Sequence, residues 1–92
     1  MFNVTFEGVD ITVVSHGIGG PGAAICFEEL IKLGVTTIIK LGTCGSLKPD
    51  EIKYGDLVVS IACCREDGHS NTIIPKSFPA VADFTLTEAL FE

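Results

Sequence analysis

The chain has 92 residues, 47% of them hydrophobic, and a net charge of −6 from twelve acidic and six basic residues. The basic residues are scattered, which excludes a nucleic-acid-binding surface, and no apolar run approaches the roughly 18 residues of a membrane span. The sequence starts without a secretory signal pattern and has no C-x-x-C pair, so we expect a cytoplasmic protein with free cysteines and no metal site. Its length predicts one small domain or a piece of a larger one.

The first half predicts a hairpin followed by a βαβ unit. Alternating residues from Asn3 to Ser15, with turn residues between them, indicate two strands, and we expect the second strand, residues 11–15, to be buried. Pro21 suits the first helical position, an apolar helical face follows, and Gly34 ends the helix. The β-branched run VTTIIKL, residues 35–41, is typical of a buried parallel strand.

The second half contains a Gly-rich loop, one more strand and a short helix. The loop GTCGS, residues 42–46, leads into a polar connection and then into LVVSIACC, residues 57–64, a further strand candidate. REDGHSN indicates a turn, and two prolines argue against regular structure across residues 73–84. Thr85 and Glu88 form a predicted capping box at the start of the last helix.

The stretch SHGIGGPG, residues 15–22, has the G-x-G-x-x-G spacing of a dinucleotide-binding turn. Such a turn needs an acidic residue at the end of the next strand to bind the ribose, and no acid occurs between Glu29 and Asp50. No Walker pattern is present either. The glycines therefore serve as tight turns or as a backbone cradle for a small anion.

Lys40 and the GTCGS loop favour free phosphate as that anion. Both Gly-rich segments follow predicted strands, and ligands of open α/β sheets gather at the carboxyl ends of their strands. A phosphate at this edge could then be bound by the Lys40 ammonium, the Thr43 hydroxyl and backbone N–H groups. The alternative is that Lys40 is a solvent-exposed residue at the end of a strand and binds no ligand.

The segments VVSHGIGGPGAAICFEELIKLG, IIKLGTCGSLKPDEIKYGDLVV and REDGHS with FPAVADF resemble the nucleoside phosphorylase family, which includes uridine phosphorylases and hexameric purine nucleoside phosphorylases. The resemblance implies an α/β, three-layer fold with a mixed sheet, of which this chain holds the hairpin, the βαβ unit and a further strand. It implies phosphorolysis of purine or pyrimidine nucleosides to free base and (deoxy)ribose 1-phosphate, with inorganic phosphate as co-substrate and no cofactor. It also implies a homo-oligomer, a dimer or a trimer of dimers, for full-length members of the family.

Site residues follow from the same resemblance. Ile18 matches a residue against the ribose, Lys40 and Thr43 match phosphate-binding positions, and Thr43, Cys44 and Gly45 match nucleoside-binding positions. No catalytic residue is assigned. Family members have Arg where this chain has Lys40, and because Lys lacks the bidentate fork we expect weaker phosphate binding.

Other polar residues are expected to be structural. We expect Arg65 to lie in a charged turn beside Glu66 and Asp67, and Asp56 to be a turn residue. Neither His16 nor His69 has a nucleophile at a recognisable spacing. The match covers only an early-middle portion of the family pattern, so residues 1–92 are expected to be a partial domain that lacks the family's amino-terminal phosphate loop and its carboxy-terminal ribose- and base-binding half. The alternative function is a truncated, inactive member that binds phosphate or nucleoside, or associates with full-length subunits.

Overall fold

A computed structural model describes residues 1–92 as two compact units, Met1–Ile38 and Ile39–Glu92. The first unit contains strands β1 (Phe2–Phe6) and β2 (Val9–Val13) and helix α1 (Gly19–Lys32). The second contains strand β3, helix α2, strand β4 and helix α3, which span Ala62–Cys63, Ser70–Ile73, Ala80–Val81 and Phe84–Phe91. The predicted α/β class is confirmed. No helix of the chain has the length and apolar character needed to cross a bilayer.

The predicted amino-terminal hairpin is present. Strands β1 and β2 pair antiparallel, and the two residues between them, Glu7 and Gly8, have φ of 49° and 82°. Two consecutive left-handed residues are what a type I′ turn requires, and that turn matches the right-handed twist of paired strands. The turn therefore fixes the register of the hairpin.

The register separates the hairpin into an apolar and a polar face. On the polar face the Thr12 hydroxyl donates to Asn3 Oδ1 at 2.9 Å, and the Thr5 hydroxyl donates to Asp10 Oδ1 at 2.7 Å. The other face carries three apolar cross-strand pairs: Phe2 with Val13, Val4 with Ile11, and Phe6 with Val9. The prediction that the second strand is buried was wrong, because nothing in the chain covers this face and every residue of both strands is exposed.

Helix α1 ends as its sequence predicts. Gly34 has φ of 92°, its N–H donates to the carbonyl of Ile31 at 2.9 Å, and the N–H of Val35 donates to that of Leu30 at 3.1 Å. These two bonds make a Schellman motif, which satisfies carbonyls that the helix end leaves free. Pro21 is the third helical residue rather than the first, a position whose missing N–H still costs no intrahelical bond.

The predicted βαβ unit is not formed. Residues 35–41 contain no strand, both sheets are two-stranded and antiparallel, and no parallel pair exists, so neither the mixed sheet nor the three layers is present. A β-strand persists only when a neighbouring strand pairs with its backbone, and a parallel strand also needs cover on both faces. Within residues 1–92 the run 35–41 has neither. For the same reason the candidate strand 57–64 is reduced to β3, Ala62–Cys63.

The second unit has a minimal sheet and a capped helix. Strands β3 and β4 pair antiparallel, and the N–H of Ala82 adds one further bond to the carbonyl of Ile61 at 2.9 Å. Helix α3 is capped by Asp83, whose Oδ1 accepts from the N–H of Leu86 at 2.9 Å. The predicted cap at Thr85 was wrong, because Asp83 offers an acceptor of negative charge two residues earlier. No residue of either unit is fully buried.

Candidate functional site

The ammonium of Lys40 lies over the GTCGS loop. A β-carbon built on Gly42 would be 2.5 Å from Lys40 Nζ and 3.5 Å from its Cε. The side chain thus folds back over the backbone of the loop, on the side where residue 42 would otherwise project a side chain. Thr43, Cys44 and Gly45 follow directly and are exposed, so a cation, a hydroxyl and loop backbone share one short segment.

Lys40 differs from the other basic residues in having no hydrogen bond and no ion pair. The ammonium of Lys53 donates to the carbonyls of Asp50 and Pro49, and the guanidinium of Arg65 donates to several carbonyls. The remaining three pair with carboxylates: Lys32 with Glu29, Lys48 with Glu51, and Lys76 with Glu66. In a chain of net charge −6, Lys40 is therefore the cation left free for an added anion.

Ile18 lies in the other unit, at the N-cap of α1. Its side chain is 98% exposed, and the flanking Gly17 and Gly19 have φ of 79° and 80°. No side chain caps the first helical N–H groups. The third glycine of the motif, Gly22, serves close packing, because a β-carbon there would be 2.8 Å from the carbonyl oxygen of His16. The assigned contact of Ile18 with ribose stays a prediction.

Arg65 organises the segment that follows it. Its Nη1 donates to the carbonyls of Pro75 and, at 3.0 Å, Phe78, and its Nη2 donates to those of Ser70 and Ile74 at 2.8 and 3.0 Å. Nε donates to the Ser70 hydroxyl at 3.2 Å, and Nη2 also approaches Asn71 Oδ1 at 3.4 Å. The sequence predicted a charged turn but not this hub, because the carbonyl acceptors leave no trace in side-chain identity.

The neighbouring carboxylate of Asp67 caps the same turn. The Ser70 hydroxyl donates to Oδ1 and the Ser70 N–H donates to Oδ2 at 2.9 Å. These two bonds, the hydroxyl first, hold the pKa of the Asp67 carboxyl below its ordinary value of 3.8, with a smaller contribution from the charge of Arg65. Arg65 and Asp67 thus stabilise residues 65–78, and every guanidinium nitrogen of Arg65 is already engaged.

The two histidines have no catalytic partner in the structure. The ring of His16 meets that of Phe27 edge-on, with centroids 6.3 Å apart, and its Nδ1 has no hydrogen-bond partner. His69 Nε2 is likewise unpartnered. No group of three or more His, Cys, Asp or Glu side chains is placed to hold a metal ion. The expected turn role of Asp56 agrees with its carboxylate, which accepts from the N–H of Lys53 at 2.7 Å.

Two open grooves of the second unit lie away from Lys40 and its loop. One, of about 410 Å³, is lined by apolar side chains from residues 52–59 and by Asp56 and Phe91. The other, of about 270 Å³, lies between residues 63–66 and 76–80. The first groove has a carboxylate and no cation in its lining. In the second, Lys76 is paired with Glu66 and the guanidinium of Arg65 already donates to backbone carbonyls, so neither groove has a cation as free as Lys40.

Comparison with known proteins identifies the family. The family model described as the phosphorylase superfamily matches residues 1–92. The chain belongs to the phosphorylase superfamily. It is 46% identical over 86 residues to a purine nucleoside phosphorylase of Plasmodium vivax, with 94% of this chain and 35% of that protein covered. It is 46% identical over 85 residues to a uridine phosphorylase of Haemophilus influenzae, with 92% and 33% covered.

A third relative of the superfamily is a guanosine phosphorylase of Halorubrum lacusprofundi, 44% identical over 87 residues, with 94% of this chain and 36% of that protein covered. The resemblance inferred from the motifs is thereby confirmed. The chain spans about a third of the length of these curated relatives. Relatives named for purine and for pyrimidine nucleosides match it equally well, so the identities leave the base preference open.

Proposed function

We propose that the chain takes part in phosphorolysis of nucleosides, in which inorganic phosphate displaces a purine or pyrimidine base and leaves (deoxy)ribose 1-phosphate. The observation that carries the proposal is the free ammonium of Lys40 over the Gly-rich loop of a phosphorylase-superfamily chain. The relatives named as purine nucleoside, uridine and guanosine phosphorylases support the same substrate class.

The chemistry assigns a task to each proposed residue. As the bond from sugar carbon to base nitrogen breaks, positive charge develops on the sugar, and a phosphate oxygen forms the new bond. Lys40 and the Thr43 hydroxyl hold the phosphate so that its negative charge lies against the developing cation. Ile18 contacts the ribose, Cys44 and Gly45 line the base, and no group is assigned to protonate the departing base.

The exposed surface of the chain favours a second candidate, in which it binds phosphate or nucleoside without turnover or associates with full-length subunits. None of the 92 residues is fully buried, and large apolar side chains such as Phe2 (73% exposed) and Phe6 (64% exposed) face solvent. Apolar surface of this kind marks an interaction site. The resemblance implies a homo-oligomer for full-length members, and sedimentation of the purified protein tests whether this chain associates with copies of itself.

Base release from inosine, guanosine and uridine, with and without phosphate, separates the two candidates. Phosphate-dependent release supports phosphorolysis, and its absence in a folded protein that still binds phosphate favours the second. Lys40→Ala is expected to lower the affinity for phosphate about tenfold, because the variant loses a charge-assisted hydrogen bond. Lys48→Ala is the matched control, since it removes one positive charge that is already paired with Glu51. Equal phosphate affinity in both variants would contradict the assignment.

Lys40→Arg tests the difference from the family pattern. A guanidinium donates two parallel hydrogen bonds to a phosphate, whereas an ammonium acts as a point charge. We expect the variant to bind phosphate several-fold more tightly than the wild type, measured as the apparent phosphate affinity. No gain with Arg would contradict the argument about the fork.

A further inference from the structure

Gly42 has no conformational reason to be glycine. The glycines with left-handed backbone are at positions 8, 17, 19, 34, 55 and 68, and Gly42 is not among them. An L-amino acid with a side chain fits its backbone conformation without strain. What a side chain would lack at this position is space, because Lys40 Nζ is 2.5 Å from the place of its β-carbon.

Gly45, three residues along the same loop, provides the contrast. Its backbone is not left-handed either, and a β-carbon there would have no atom within 4 Å. Between these two loop glycines, only the missing side chain of Gly42 makes room for a charged group. Since Lys40 has no hydrogen bond or ion pair, this room is the feature of the loop that admits the ammonium at its observed place.

We propose that Gly42 is a positioning residue, which seats the Lys40 ammonium over the loop by lacking a side chain. The inference rests on the proposed role of Lys40 in phosphate binding. It adds that the hydrogen standing in place of a side chain at residue 42 sets where the positive charge stands, on the loop that carries Thr43 as its next residue.

Gly42→Ala is expected to move the charge without unfolding the loop. A methyl group at 2.5 Å from Nζ is well inside van der Waals contact, but the obstructed atom is the end of a flexible side chain and swings aside. The ammonium then stands about 1 Å or more farther from the loop, and a weakened charge-assisted contact corresponds to a roughly three- to tenfold loss of phosphate affinity.

A double-mutant cycle on the full chain tests the inference. The wild type, Gly42→Ala, Lys40→Ala and the double variant are titrated with inorganic phosphate, followed by calorimetry or by phosphorus NMR, after circular dichroism has shown that each is folded. Gly42→Ala is expected to lower the affinity for phosphate when residue 40 is Lys, and to have no further effect in the Lys40→Ala background. Lys48→Ala removes an ammonium that is already paired with Glu51 and serves as the matched control, whose phosphate Kd is expected to stay unchanged.

The outcomes separate the two proposals. Equal weakening in both backgrounds, or no weakening in either, overturns the positioning role of Gly42. If Lys40→Ala leaves the phosphate Kd unchanged, or if the wild type binds no phosphate, the assignment of Lys40 fails and the inference fails with it. Because the readout is binding, absence of turnover refutes the phosphorolysis proposal alone and leaves the role of Gly42 standing.

Discussion

Replacing Arg65 by Met tests the hub that holds residues 65–78. The substitution keeps an unbranched apolar stem and removes all five N–H donors of the guanidinium. The carbonyls of Ser70, Ile74, Pro75 and Phe78 then lose the partner that joins them. Since these carbonyls lie along the whole segment, we expect the segment to open as one unit.

Four of the Arg65 bonds are partly shielded from water, and the magnitude follows from the three shorter ones, since the fourth, to Asn71 Oδ1, is 3.4 Å long. These are Nε to the Ser70 hydroxyl at 3.2 Å and Nη2 to the carbonyls of Ser70 and Ile74 at 2.8 and 3.0 Å. Each contributes about 1 kcal/mol net, whereas the exposed acceptors regain water and contribute little. The loss is about 2–3 kcal/mol, and because 1.4 kcal/mol is a factor of ten, local opening increases roughly 30- to 140-fold.

Amide hydrogen exchange measures this opening. The N–H of Ile74 donates to the carbonyl of Ser70, and the N–H of Phe78 to that of Pro75, so both report on the segment. Their exchange is expected to accelerate by the same factor in Arg65→Met, while the amides of the hairpin in the other unit keep their rates. Arg65→Lys, with three donors in place of the fork, is expected to fall between. Exchange of Ile74 and Phe78 within twofold of the wild type would refute the reasoning.

Three further predictions concern helix ends and pH. Gly22→Ala is expected to destabilise the start of α1 by about 1–2 kcal/mol, although Ala has the higher helix propensity. The added methyl group would meet the His16 carbonyl oxygen at 2.8 Å, and a backbone atom does not swing aside. Thermal melting followed by circular dichroism measures the loss, and an unchanged melting temperature would count against it. Asp83→Ala is expected to cost about 1 kcal/mol and to speed exchange of the Leu86 amide several-fold, whereas Asp83→Asn keeps the acceptor and most of the protection. The pKa of the Asp67 carboxyl in the folded state lies below 3.8, so its stabilisation of the 67–70 turn is fully present above pH 3.8 and is lost as the pH falls through the folded pKa. An acid titration followed by NMR is expected to show this loss, and the Asp67→Asn variant is expected to lack it.

Local features of the fold were predictable from sequence where a few neighbouring residues decide them. The turn at Gly8 and the cap at Gly34 lie where glycine signals them, whereas the left-handed backbone of Glu7 is not one that its residue type favours. The N-cap of α3 is Asp83 and not the predicted Thr85, because both are good capping residues and propensity alone does not choose between them.

Features that depend on distant partners were not predictable in this way. The run 35–41 has strand composition, but pairing requires a second backbone, and composition does not reveal whether the chain supplies one. Similarly, Lys40 was singled out by its place before the loop, whereas the position of its ammonium over Gly42 required coordinates. The hub at Arg65 depends on carbonyl groups, which every residue has, so no residue type signals it.

The two faces of the amino-terminal hairpin affect how the protein behaves at high concentration. Each strand pairs with only one neighbour, so both outer edges keep free N–H and C=O groups beside six exposed apolar side chains. Such an edge templates further strands from other copies. The charge of −6 keeps copies apart, but salt at 0.15 M limits its reach to about 8 Å. Colloidal stability is therefore expected to fall as ionic strength rises, although no contact within the fold changes.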